Sequence, residues 1–139
     1  TGETLRRIGG EFGATTGRPR RCGWLDTVFG RYSAWINGLT HLIITKLDVL
    51  DGFDTIKVCH AYEYKGKTIK DFTGDTEAIA AYKPVYREFK GWQRSTAGVR
   101  SWDELPAEAK TYLEYVEAEL GVPIGIISVG PDRAATFRR

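Results

Sequence analysis

From Asp26 onward the sequence alternates between helical and strand-like patterns, and this alternation limits the fold more than any other feature. Apolar residues recur at helical spacing from Val28 to Leu39, with Asp26 placed as the N-cap and Gly38 near the exit. The short apolar run "HLIIT" (41–45) then ends at polar residues, as a buried strand that leads into a loop does. This order predicts an amphipathic helix followed by a buried strand.

The middle of the chain continues the pattern with extended segments. The runs "IKVCHAYEY" (56–64) and "KTIKDF" (67–72) flank a Lys-Gly turn and predict a β-hairpin. A further extended segment covers residues 82–92, and Pro84 places it at the edge of a sheet because proline cannot donate a ladder hydrogen bond.

A second helix and a final strand are predicted near the carboxyl end. Ser101 and Glu104 have the spacing of a capping box, and Gly121 stops the apolar periodicity that follows them. The run "PIGIISVGPDR" (123–133) indicates a buried strand that enters a Gly-Pro turn.

Composition is that of one folded globular unit, residues 1–139. The chain is 42% hydrophobic and 27% charged, which excludes a disordered tail or a fibre. Its net charge of +2 provides no global field for nonspecific nucleic-acid binding. Two cysteines are too few for a disulfide framework, so a reducing cytoplasm is expected. No apolar run has the roughly 18 residues of a membrane span.

The first 23 residues contain six glycines and five arginines, and their stretch "GATTGRPRRCGW" (13–24) suits neither a regular helix nor a central strand. Arginines on a glycine-hinged loop can present forked guanidinium groups to a carboxylate or phosphate, and Thr15 and Thr16 add donors. The plain alternative is a solvated basic loop whose surface ion pairs contribute little.

The run "TKLD" (45–48) follows the first strand pattern and could read a purine base. An aspartate at position 48 can accept hydrogen bonds from the N1–H and exocyclic amine of guanine, whereas adenine offers neither donor there. The stem of Lys46 can cover the base while its ammonium stays wet. Backbone N–H groups of "SVGP" (128–131) could reach a base carbonyl. The alternative for both segments is an ordinary strand-end turn.

Taken in order, these segments resemble adenylosuccinate synthetases. The likeness rests on "GGEFGATTGRPRRCGWLD" (9–26), "TKLDVLDGFDTIKVCHAYEYKG" (45–66) and "SVGPDR" (128–133). It implies an α/β fold, namely the C-terminal portion of a P-loop-hydrolase-like central sheet flanked by helices. It also implies a cytoplasmic, homodimeric ligase of AMP biosynthesis that joins IMP to L-aspartate with GTP and magnesium.

The resemblance also implies which residues bind. Region 1–25 would hold the aspartate and IMP loop, formed by Ala14, Thr15, Thr16, Gly17, Arg18, Pro19 and Arg20. Thr15, Thr16 and Arg18 would hold the aspartate carboxylates, Arg18 would also reach the IMP ribose, and Arg20 would bridge toward the GTP phosphates. Regions 41–52 and 124–133 would bind guanine through Lys46, Leu47, Asp48, Ser128, Val129 and Gly130, with Pro131 against the ring.

Nothing like the family's phosphate loop "GDEGKG" occurs in these residues. The catalytic aspartate and histidine, and most of the magnesium site, are therefore expected in an N-terminal part of a longer protein. In the family's mechanism IMP is deprotonated, its O6 takes the γ-phosphoryl group, and the aspartate amine displaces phosphate at C6. We expect the segment alone to be catalytically silent, with no catalytic or metal-binding residues of its own.

Other functions stay open from the sequence. The chain could be a stand-alone guanine-nucleotide-binding module, a scaffold that uses its aromatic surfaces, or a basic-loop nucleic-acid-binding module. The last would place its loop arginines on phosphates, and its binding would weaken steeply with salt. The family resemblance favours small-molecule partners, with no nucleic acid and no membrane.

Overall fold

The computed structural model describes residues 1–139. Its α-helices are α1 (Gly2–Gly9), α2 (Thr27–Asn37), α3 (Thr76–Ala81) and α4 (Ala107–Leu120). Its strands are β1 (Leu25–Asp26), β2 (Leu42–Ile44), β3 (Thr55–Tyr64), β4 (Lys67–Ile69), β5 (Lys83–Lys90), β6 (Ile124–Ser128) and β7 (Thr136–Arg138). Short 3-10 helices cover Leu47–Leu50 and Arg133–Ala135.

The strands form two mixed sheets. In the four-stranded sheet, β3 pairs with β1 in parallel and with β4 and β5 in antiparallel orientation. In the three-stranded sheet, β6 lies between the parallel β2 and the antiparallel β7. The predicted α/β class with flanking helices is confirmed, although the strands divide between two sheets and do not form one central sheet.

Helix α4 contributes to an apolar core that contacts both sheets. Its residues Ala109, Leu113 and Val116 are almost completely buried. They share one cluster with Ile56 and Val58 of β3 and with Ile124, Ile127 and Phe137 of the other sheet. This shared core fixes the ends of β2 and β6, from which two of the predicted binding segments extend.

Several local predictions are confirmed. Asp26 caps α2 by accepting hydrogen bonds from the N–H groups of Val28 and Phe29, at 2.9 and 3.1 Å, and Gly38 ends the helix in the left-handed conformation. Lys65 and Gly66 turn the β3–β4 hairpin with positive φ angles. Strand β5, which carries Pro84, pairs only with β3 and is an edge strand, as predicted.

Two predictions of the sequence analysis are wrong in detail. The capping box does not start a helix: Glu104 accepts a hydrogen bond from the N–H of Arg100 at 2.8 Å, and α4 begins only after Pro106. Proline disfavours helical geometry in the residue before it, which explains the delay. Strand β2 is not fully buried, because it is a sheet edge and Ile43 is 62% exposed.

None of the helices is both long and apolar enough to span a membrane.

Asp26 and Asp75 provide a matched test of helix capping. Each accepts hydrogen bonds from two backbone N–H groups, but Asp26 also accepts one from the hydroxyl of Tyr62, and α3, which Asp75 caps, buries no residue. Asp26→Ala should lower the free energy of unfolding by about 1–2 kcal/mol. Asp75→Ala should change it by less than about 0.5 kcal/mol. Urea denaturation measures both free energies, and equal losses would contradict a larger stabilising contribution of α2, which buries Thr27, Val28 and Ala34.

Candidate functional site

The arginine-rich opening forms a tight loop between Phe12 and Pro19, which pair as an isolated antiparallel bridge. The N–H of Gly13 donates to the carbonyl of Arg18 at 2.8 Å, and the N–H of Gly17 donates to the carbonyl of Gly13 at 2.8 Å. Gly17 has φ near 65°, a conformation that side chains disfavour. The local hydrogen bonds and this glycine explain why the segment is neither helix nor strand.

The loop residues predicted to bind the amino acid are all solvent-exposed, namely Ala14, Thr15, Thr16, Gly17, Arg18, Pro19 and Arg20. The hydroxyl of Thr16 accepts a 3.3 Å hydrogen bond from the backbone N–H of Arg18. The guanidinium of Arg18 has no hydrogen-bond or ion-pair partner within the chain. It can therefore meet an external carboxylate without breaking an existing contact.

Arg20 and Lys46 come together on one carboxylate. Glu11 accepts from Arg20 at 2.8 Å through Oε2 and from Lys46 at 2.5 Å through Oε1. The Lys46 ammonium also donates to the carbonyl of Gly9 at 2.7 Å. The hydrogen bonds to Lys46 and Arg20 lower the pKa of Glu11, so the carboxylate stays ionised between the two cations. The loop and the "TKLD" segment, far apart in sequence, thus meet in space.

A groove of about 470 Å³ runs beside this cluster. Its lining includes Glu11, Arg20, Arg21 and Lys46. Loop residues 14–18 and Asp48 do not line this groove. The structure thus unites Arg20 with Lys46, while the tip of the loop projects into solvent.

Leu47 and Val129 are buried, so their side chains cannot face a base. Both lie in the core cluster with Ile127, at 2% and 0% exposure. The N–H of Val129 already donates to the carbonyl of Ala135 at 2.9 Å, and the Ser128 hydroxyl donates to the carbonyl of Gly130 at 2.8 Å. These residues hold the turn after β6 against the turn after β2.

Asp48 has an orphaned acceptor. Its Oδ1 atom is buried and has no hydrogen-bond partner. Burial raises the pKa of Asp48, and the nearby charge of Asp51 adds to the effect, whereas the residue's own backbone N–H and Lys46 oppose it. A buried, unpaired carboxylate oxygen is costly, and a ligand with two N–H donors would satisfy it.

The amino-acid sequence matches a known family. The family model described as adenylosuccinate synthetase matches residues 1–137. The chain belongs to the adenylosuccinate synthetase family.

Relatives in this family are similar over the whole chain but are much longer. The adenylosuccinate synthetase of Desulforudis audaxviator is 52% identical over 137 residues, which are 99% of this chain and 32% of the relative. The adenylosuccinate synthetase of Chlorobium luteolum is 53% identical over 139 residues, which are 100% of this chain and 32% of the relative. A solved structure of fully ligated adenylosuccinate synthetase from Plasmodium falciparum superimposes with a TM-score of 0.94 at 38% identity, covering 99% of this chain and 34% of that one. The chain therefore spans about a third of the length of the adenylosuccinate synthetases it matches.

A larger groove, of about 640 Å³, lies on α2 and contains none of the predicted binding residues. It is lined mainly by apolar groups, including Trp35 and Leu39. One of its cations, Arg31, is already engaged by Glu119 at 2.8 Å and by the carbonyl of Lys70 at 2.9 Å. This groove offers few free polar groups for the substrates of an adenylosuccinate synthetase.

The sequence analysis missed Glu11. It lies inside the first family motif and is the only acidic residue between Thr4 and Leu25. An isolated acid in a cationic stretch was the available signal, because two neighbouring cations need a counter-charge when a fold brings them together. The partner Lys46 could not be inferred, since it comes from a distant segment.

A substitution at Asp48 should reveal how its unpaired carboxylate oxygen affects the stability of the fold. Asp48→Asn removes a partly buried charge and should raise the midpoint of thermal unfolding of the ligand-free chain at pH 7, by up to about 3 °C for a change on the order of 1 kcal/mol. Because burial raises the pKa of Asp48 above 3.8, the destabilisation exists only where the carboxyl is ionised. The gain should shrink as the pH falls through the raised pKa toward 3.8.

Calorimetry at a series of pH values measures this effect. Asp103→Asn is the matched control, because Asp103 is exposed and its carboxylate makes no hydrogen bond in the chain. A lower unfolding midpoint for Asp48→Asn at neutral pH would contradict the assignment of a desolvated carboxylate.

Proposed function

We propose that the chain is the aspartate-clamping and guanine-reading part of a GTP-dependent ligase that joins IMP to L-aspartate and yields adenylosuccinate. The proposal rests on one observation: Arg20 of the loop and Lys46 of the "TKLD" segment share the Glu11 carboxylate. Asp48, whose Oδ1 is unpaired, lies two residues after Lys46 in the sequence. Family membership supports the reaction type, ligation in purine biosynthesis.

The loop would act as a clamp for a dianionic amino acid. Thr15, Thr16 and the free guanidinium of Arg18 would hold the two carboxylates, leaving the amine free to attack C6 of IMP. Arg18 would also reach the IMP ribose. Arg20, held beside Lys46, would face both the amino acid and the nucleotide phosphates. Ala14, Gly17 and Pro19 would supply the backbone shape.

Asp48 would select guanine. Its carboxylate, which is only partly buried, would accept the N1–H and exocyclic amine of the base, and adenine would leave it unpaired. The Lys46 stem would cover the purine face. Leu47 and Val129 would contribute through packing, while Ser128, Gly130 and Pro131 would border the other edge of the base.

The chain would work within a longer, homodimeric, cytoplasmic protein whose partners are IMP, L-aspartate and GTP, not nucleic acid or membranes. We take residues 1–139 as one unit of that protein. The structure brings no three His, Cys, Asp or Glu side chains together in a cluster that could hold a metal. Magnesium, which neutralises phosphate charge when bound, would be held mainly by residues outside this chain, which would also supply the catalytic aspartate and histidine. The isolated chain would be catalytically inactive.

A chimera of this chain with the remaining two thirds of the Chlorobium luteolum relative would test guanine selection. Turnover should depend on aspartate and should prefer GTP over ATP. Asp48→Asn should reduce the ratio of kcat/KM for GTP to that for ATP by about 10- to 100-fold, because the amide presents a donor where guanine also has donors. An unchanged ratio would show that Asp48 does not recognise the base.

Arg18→Leu in the same chimera would test the clamp. Losing a charge-assisted contact should raise the KM for aspartate at least about 10-fold and should change the KM for GTP far less. Arg7→Leu is the matched control, since Arg7 is equally exposed on α1 and outside the loop. Equal effects of Arg18→Leu on both substrates would show that Arg18 does not act on the amino acid.

A further inference from the structure

The ion pairs of Glu11 with Arg20 and Lys46 lie near the protein surface. Its side chain is 25% exposed, and its partners Arg20 and Lys46 are 58% and 45% exposed. Ion pairs this open to solvent contribute little to stability. The cluster's main effect is therefore geometric, since one carboxylate fixes two cations relative to each other.

The position of Glu11 is itself determined by the end of α1. Its N–H donates to the carbonyl of Arg6 at 2.9 Å, and its carbonyl accepts from the N–H of Arg20 at 3.1 Å. The side chain of Arg6 donates through Nε to the carbonyl of Arg20 at 2.6 Å. Gly10, in the left-handed conformation, ends the helix immediately before Glu11. The carboxylate is thus held by both its backbone groups and both its oxygens.

Lys46 is held just as firmly on the other side. It adopts a left-handed conformation with φ near 57°, and its ammonium is shared between Glu11 and the carbonyl of Gly9. The next residue, Leu47, is buried in the core. A displacement of the Lys46 side chain would therefore be transmitted to the Asp48 turn.

We propose that Glu11 is a positioning residue that ties the aspartate clamp to the guanine-reading turn, so that occupation of either site favours occupation of the other. This inference rests on the proposed function of the two segments. When a ligand orders one segment, the shared carboxylate restricts the other, and the second ligand loses less conformational freedom on binding. Glu11 need not touch either substrate.

Amide hydrogen exchange on the ligand-free chain tests directly whether Glu11 links the loop to the turn that contains Asp48. Glu11→Gln keeps the size of the side chain but presents one acceptor and one donor, so it cannot hold two cations. Exchange should accelerate together in residues 12–20 and 45–50, while β3 keeps its rates. Glu88→Gln, which removes the exposed partner of Lys57, is the control and should leave both segments unchanged. Unaltered exchange in Glu11→Gln would overturn the inference.

Steady-state kinetics of the chimera test the coupling. In the unsubstituted chimera the KM for aspartate should fall as GTP rises, by a factor of about 5 or more. Glu11→Gln should abolish this dependence and raise both KM values, and Glu88→Gln should preserve it. Retained coupling in Glu11→Gln would refute the inference and leave the proposed function standing. A chimera without aspartate- and GTP-dependent turnover would instead refute the proposed function, and hydrogen exchange would still decide whether Glu11 ties the segments.

Discussion

The burial of Leu47 is the contact on which the position of Asp48, the proposed guanine selector, depends. Its side chain lies in the same core as Ile127 and Val129, which pins the turn after β2 against the end of β6. With Leu47 fixed inward, the adjacent Asp48 is held in place with one carboxylate oxygen shielded from water. The apolar contact of Leu47 thus keeps a carboxylate oxygen of Asp48 away from water, whereas the same oxygen on an ordinary surface turn would be solvated.

The cationic loop obeys a different constraint, since its residues are exposed and its shape comes from local hydrogen bonds. Only Arg20, at its base, joins the rest of the molecule through Glu11 and Arg6. The tip, with Thr15, Thr16 and Arg18, stays free. A loop anchored at its base and open at its tip suits a ligand that must enter, be held by both carboxylates and leave.

Much of the fold was predictable because its signals are local. Asp26 before an apolar helical repeat and Lys65-Gly66 between two strand patterns each act through neighbouring residues, and both predictions are confirmed. The start of α4 was misjudged because Pro106 overrides the capping box, and the exposure of Ile43 depends on which strand lies beside β2. The division into two sheets likewise depends on long-range pairing that no local pattern encodes.

In the candidate site, too, local features could be predicted from the sequence and long-range contacts could not. The chemistry of Arg18 and Asp48 followed from residue type and from the family motifs, and it stays a prediction. The role of Glu11 required the fold, since Lys46 lies 35 residues away in sequence. Among the backbone donors after β6, the N–H of Val129 is already bonded to the carbonyl of Ala135, a detail that the sequence does not show.

Nuclear magnetic resonance of the isotopically labelled chain is the most direct measurement of the central claim, that the loop and the acidic turn form adjoining parts of one site. On addition of GTP, amide signals of residues 46–48 and 128–130 should shift together with one dissociation constant, and ATP should not reproduce the effect. Aspartate added afterwards should shift residues 15–20. Shifts confined to the groove around Trp35, with both segments unaffected, would contradict the account.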